Sequence, residues 1–162
     1  MFKQFVAAVC CGAVLICAGC GAQAPAPSGG ETEQDVVLET AETDGETYYL
    51  LKSEADLQTI GSTYPLSGNY MLANDITLSE EWSPIGNTEE PFTGIFDGNG
   101  YQIRQLTVTK AADAKGFFGA SRDAVIRDLV LVDAQIDVFG FFPIVARAEN
   151  TEIIGCSVNE LQ

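Results

Sequence analysis

The stretch Pro91-Phe92-Thr93-Gly94-Ile95-Phe96-Asp97-Gly98-Asn99-Gly100-Tyr101-Gln102-Ile103-Arg104-Gln105-Leu106 holds the first clear copy of a unit that recurs twice. Each copy runs Gly-x-Phe, a small polar turn, then Ile-x-x-Leu/Cys-x-Val/Leu. The copies are Gly94-Ile95-Phe96 with Ile103, Leu106 and Val108; Gly116-Phe117-Phe118 with Ile126, Leu129 and Leu131; and Gly140-Phe141-Phe142 with Ile153, Cys156 and Val158. A fainter copy precedes them at Ala73, Ile76 and Leu78. Alternate residues of a flat strand face one side. Ile103 and Leu106 differ in parity, as do Ile126 and Leu129, and Ile153 and Cys156, so the inward face must switch between them. That predicts a corner at the same place in every copy.

Strand, corner, strand, repeating about every 22 to 27 residues, predicts a solenoid of stacked coils. Phe96, Phe118 and Phe142 are expected to form one internal ladder, and Leu106, Leu129 and Cys156 another. Burying each such side chain contributes about 1.5–3 kcal/mol. The expected fold is all-β: a short right-handed parallel β-helix of about 3–4 coils with a small N-terminal capping helix. Two rivals fit less well. An isolated hairpin at Asp97-Gly98-Asn99-Gly100 explains one turn but not the repeat. A leucine-rich repeat fits Ile126 to Leu131, but the rest of each copy lacks a helical pattern, and Ala134 stands where that repeat has its Asn.

The chain before this domain reads differently. Lys3 supplies a positive start and Phe5 to Cys17 is an apolar run, too short for a membrane span of about 20 residues. Residues 1–19 therefore read as a signal peptide. Cys17-Ala18-Gly19-Cys20 resembles the lipobox of bacterial lipoproteins, which implies lipidation of Cys20 and anchoring of the mature chain to a membrane. Residues 20–47 read as a tether: Pro and Gly come first, then seven acidic and no basic residues from Glu31 to Glu46. Such a segment is expected to be disordered, apart from weak docking of Val36-Val37-Leu38. The domain is expected over 48–162. It opens with a strand at Tyr48 to Leu51 and a capping box at Ser53-Glu54-Ala55-Asp56. The helix behind it shows an apolar face of Leu57 and Ile60 and ends at Gly61.

Residues 48 to 160 resemble the β-helical bacterial surface proteins that carry GLUG repeats. The residues carrying the likeness are Tyr70 to Ile76, Trp82-Ser83-Pro84-Ile85-Gly86, Phe96-Asp97-Gly98-Asn99-Gly100, Gly116-Phe117-Phe118-Gly119 and Ala124 to Leu129. Gly140 to Val145 departs from the glycine-rich pattern, and the repeat array is shorter than is usual in that family. Similar segments precede the catalytic part of some IgA-cleaving metallopeptidases, whose zinc motif requires histidine.

Composition narrows the chemistry. The chain has 8 Lys+Arg against 23 Asp+Glu, a net charge of −15, and no histidine. So negative a surface repels nucleic acid. Without imidazole there is no Ser-His-Asp or Cys-His site and no His-ligated zinc. Asp75, Asp97 and Asn99 are the oxygens best suited to Ca²⁺, but their spacing is not that of a calcium loop, and Asp and Asn beside Gly form turns by bonding their own backbone. Arg122, Asp123, Arg127 and Asp128 have the residue types of a polysaccharide-cleaving site, yet alternating charge at a corner is more simply a solvated face. Cys156 reads as a buried ladder thiol, and Trp82 as an edge-packing residue. No catalytic residue, metal or cofactor is expected.

The functional expectation is a lipid-anchored binding or adhesion module at the bacterial cell surface, with a glycan or surface protein as ligand. The alternative is a structural spacer or fragment of a longer surface protein. Few residues follow Val158, so self-association through the last coil, or fraying from Gly140 onward, is also expected.

Overall fold

A computed structural model describes residues 36–109, 115–136 and 143–159. Cys20, the signal peptide and Gly140-Phe141-Phe142 lie outside the described residues.

The folded unit begins well before residue 48, running from Asp35 to Gln162. Strand β1 (Thr40–Thr43) and strand β2 (Glu46–Leu51) pair antiparallel, Thr43 opposite Glu46. Between them Asp44 and Gly45 adopt φ of 55° and 83°, the left-handed pair that a two-residue hairpin turn requires. Leu38 is buried, and its N–H donates to the Tyr64 hydroxyl at 2.9 Å. The tether expected over 20–47 is therefore too long at its C-terminal end. Glu42, Asp44 and Glu46 are exposed on this hairpin, while Tyr48 and Leu51 of β2 are buried.

Helix α1 (Glu54–Gln58) follows with the expected capping box. Asp56 N–H donates to Ser53 Oγ at 3.3 Å, and Ser53 N–H donates to Asp56 Oδ2 at 3.0 Å. Leu57 is buried beneath it, and Glu54 accepts from Ser79 Oγ at 2.7 Å, tying the helix to the next segment.

The remaining strands are short. They are β3 (Tyr70–Leu72), β4 (Ile76–Thr77), β5 (Ile95–Asp97), β6 (Gln102–Arg104) and β7 (Thr107–Val108). Next come β8 (Phe118–Arg122), β9 (Val125–Arg127), β10 (Val130–Val132) and β11 (Gln135–Ile136). The series ends with β12 (Val145–Glu149), β13 (Glu152–Ile154) and β14 (Ser157–Asn159). Apart from the β1–β2 hairpin, the pairing is parallel. One sheet is ordered β1-β2-β3-β5-β9-β13, a second β14-β10-β6-β4, and two further pairs are β11-β7 and β12-β8.

The chain thus returns to the same sheet with each circuit. Tyr70 pairs with Phe96, Phe96 with Ile126 and Ile126 with Ile153, steps of 26, 30 and 27 residues. A second inward row runs Ile76, Ile103, Leu131, Val158. The predicted corners are present: Gln105, Asp128 and Gly155, each between the two residues of opposite parity, have φ of 59°, 51° and 64°.

The ladders are assorted differently from expectation. Phe96 stacks on Tyr70 and Ile126, whereas Phe118 stacks on Ile85 and Val145. The two phenylalanines meet across the core, edge to face at 5.4 Å. Leu129 and Cys156 do lie in register, since Val130 pairs with Ser157. Leu106 belongs one corner further on, because Gln135 N–H donates to its carbonyl. The first sequence copy is thus displaced by one strand in register. The Ile-x-x-Leu unit encodes a corner, and any corner of the circuit can use it.

Glycine at two positions is a matter of space. A Cβ on Gly94 would fall on the Gly68 carbonyl oxygen, and one on Gly98 on that of Asp128. Adjoining backbones can approach that closely only where the side chain is absent.

Candidate functional site

The charged residues proposed from sequence fall into cross-coil pairs. Asp97 is buried, with its carboxylate engaged twice. Its Oδ1 accepts from Asn99 N–H at 2.7 Å and its Oδ2 from Arg127 Nε at 2.7 Å. Arg127 also donates to the Tyr48 hydroxyl at 3.2 Å and lies 6.0 Å from that ring's centroid. Its pKa is raised above the ordinary arginine value, first by the hydrogen bond to Asp97 and, more weakly, by the charge of that carboxylate. Asn99 donates its side-chain amide to the Leu72 carbonyl at 3.1 Å, which joins two coils. Asp75 turns elsewhere, accepting from Gln102 N–H at 3.0 Å. The three oxygen donors suggested for calcium thus have separate structural partners. Among the described residues, no group of three or more His, Cys, Asp or Glu converges.

The second set behaves likewise. Arg122 Nε donates to Glu149 at 2.8 Å, and Asp123 Oδ1 accepts from the Asn150 amide at 2.5 Å. Asp123 and Asn150 have φ of 49° and 46° and mark another corner of the circuit, while Asp128 marks the one before β10. Asp123 and Asp128 thus mark separate corners. Cys156 is half-buried, and burial pushes its thiol pKa upward, which suppresses the reactive thiolate. Trp82 is buried, stacked flat on Phe117 at 5.0 Å, with Nε1 donating to the Phe117 carbonyl at 2.9 Å. It is a packing residue and offers no exposed platform.

A concavity also lies where no sequence motif points to one. Residues 57–66 around the end of α1 and the loop 81–90 enclose a groove of about 500 Å³. Leu57, Ile60, Leu66 and Ile85 give it an apolar floor, while Asn87 and Glu90 stand on its rim. No lysine or arginine lines it. The Trp82–Phe117 stack fixes one wall, and Trp82 N–H holds the loop to β7 through the Thr107 carbonyl at 2.8 Å. Gly86, at φ 70°, provides the turn. The groove joins segments some 25 residues apart in sequence, so no local motif could announce it. Also unforeseen were the partners Tyr48, Glu149 and Asn150, each distant in sequence from the residue it engages.

No family model matches the chain, and no solved structure does. Two curated proteins are similar to parts of it. One is halomucin of Haloquadratum walsbyi, 34% identical over a region that covers 56% of this chain and 1% of that protein. The other is a Gly-rich membrane protein of Evansella cellulosilytica, 28% identical over 59% of this chain and 12% of that protein. The chain spans only a small part of either relative's length. These are names of surface- or membrane-type proteins.

Proposed function

We propose that this chain is a non-catalytic binding module at the bacterial cell surface, tethered by a lipid on Cys20. On this reading the domain is a short right-handed parallel β-helix of the kind found in GLUG-repeat surface proteins, with α1 as its cap. The observation that carries the non-catalytic reading is that the candidate carboxylates and guanidiniums are engaged with one another across coils: Asp97 with Arg127, Glu149 with Arg122, Asp123 with Asn150. Groups so committed stabilise the stack and are not poised to exchange protons with a substrate. The surface names of the two relatives and the Ala18-Gly19-Cys20 context support the location.

The groove between α1 and the 81–90 loop is the binding surface on this reading. With an apolar floor, acidic and amide groups at its rim and no lining cation, it favours neutral or cationic ligands over polyanions. The test has two parts. Cells fed a labelled fatty acid should label the wild type and not Cys20→Ala; equal labelling of both would end the lipoprotein reading. The purified protein on a glycan array should retain neutral or amino sugars, and Glu90→Lys should weaken retention. Retention of sulfated or uronic glycans alone, or of nothing at all, would favour the structural-spacer reading.

A further inference from the structure

Asn99 is the only asparagine of the chain that glycine follows, and its side chain joins two coils. Strands β3 and β5 pair through Tyr70 with Phe96 and Met71 with Asp97. Beyond that point the Asn99 amide takes over from the backbone, donating to the Leu72 carbonyl at 3.1 Å. Asn99 and Gly100 are both exposed. Gly100 has open space around its Cβ position, and its N–H has no partner among the described residues. A backbone nitrogen so placed, with no side chain behind it, can reach the side-chain carbonyl of the residue before it. Two similar steps are different. At Asp97-Gly98 the residues are buried, the carboxylate is held by Arg127, and Gly98 N–H donates to the Arg127 carbonyl at 2.8 Å. Asp44-Gly45 is exposed, but a carboxylate yields to attack less readily than a carboxamide.

We propose that the Asn99-Gly100 step is a site of spontaneous deamidation, and that its product unfastens β3 from the turn after β5. The Gly100 nitrogen attacks Asn99 Cγ. A nitrogen–Cγ bond forms, the bond from Cγ to Nδ2 breaks, and the amide leaves as ammonia with the proton of the Gly100 N–H. Water then opens the succinimide ring, giving aspartate if it adds at Cγ and isoaspartate if it adds at the backbone carbonyl. Nothing is oxidised or reduced. The Asn99 amide must leave the Leu72 carbonyl before the ring closes, so the reaction proceeds through a local opening of an exposed turn. The product cannot return to the closed form. A carboxylate accepts hydrogen bonds and does not donate them, so it faces the Leu72 carbonyl as acceptor against acceptor. It also sets a second negative charge beside Asp97, whose Oδ1 accepts from Asn99 N–H at 2.7 Å. The inference is independent of the groove and of its ligand.

Ageing the purified protein at mildly alkaline pH in oxygen-labelled water, with peptide mass mapping over time, tests the proposal. Aspartate and isoaspartate carrying the solvent label should accumulate at position 99 ahead of Asn69, Asn74, Asn87, Asn150 and Asn159, and more slowly than in the same chain unfolded in urea. Asn99→Asp should lower the melting temperature by at least about 3 °C. The aged wild type, its melting temperature followed against the converted fraction, gives the same comparison if that variant folds poorly. Conversion at another asparagine first, isoaspartate at Asp44 before position 99, or an unchanged melting temperature in the converted protein would overturn the proposal.

Discussion

Gly94 and Gly98 occupy negative or extended backbone, so what they provide is the absence of a side chain where adjoining backbones touch. Gly94→Ala would drive a methyl group into the Gly68 carbonyl, an overpacking that costs about 1–3 kcal/mol. Gly45 is the useful contrast: it has open space around its Cβ position but φ of 83°, so Gly45→Ala should cost about 1–2 kcal/mol through backbone conformation. Urea midpoints would check both. Tyr70 is a second informative residue. Its ring is fully buried, its hydroxyl donates to the Pro65 carbonyl at 2.6 Å, and burial, with lesser contributions from Tyr49 and Tyr64, pushes its pKa far above the usual phenol value. The folded state therefore favours the protonated phenol. The resulting stability is complete below about pH 10, the unfolded value, and is lost as pH rises beyond it. Tyr70→Phe should lower stability by about 1 kcal/mol at neutral pH through the lost hydrogen bond while flattening the alkaline fall. An unchanged alkaline slope in the variant would show that other groups cause it.

Among the elements, the β1–β2 hairpin changes the reading of the N-terminal region most. Its composition is that of a solvated tether, and only the Asp44-Gly45 pair and the alternation of Thr40 to Thr43 signal a hairpin. Its inner residues join the same sheet as β3, and Leu38 enters the core ahead of it. Leu38→Ala should therefore destabilise by about 2 kcal/mol or more, as core truncations do. Val37→Ala, at a residue 81% exposed, should stay within about 0.5 kcal/mol. Equal melting temperatures for the two variants would return residues 36–45 to the tether. The Arg127 side chain reinforces the same junction, reaching from β9 to Asp97 on the adjacent β5 and to Tyr48 on β2, and so ties three strands of one sheet together across β3.

Taken whole, the molecule combines an aromatic interior with a strongly acidic exterior. Trp82, Phe92, Phe96, Phe117 and Phe118 interlock in stacked, tilted and edge-to-face contacts between 4.9 and 5.5 Å. This cluster lies within the hydrophobic core.

The corners, the helix cap and the apolar character of the inward rows follow from the sequence alone, because each is a local matter. Parity switches at Ile103/Leu106, Ile126/Leu129 and Ile153/Cys156 demand a turn, and Ser53 and Asp56 can bond one another without help from distant residues. Phase between coils is a different kind of property. The Ile-x-x-Leu unit fits more than one corner equally well, so the repeat could not reveal that Phe96 stacks on Ile126 while Phe118 stacks on Val145. That choice rests on how the large rings share one interior and on backbone contacts such as Gly94 with Gly68, which exist only once the coils are stacked. The same holds for the groove beside α1 and for the Tyr48–Arg127–Asp97 clamp: their parts are remote along the chain, and only packing brings them together.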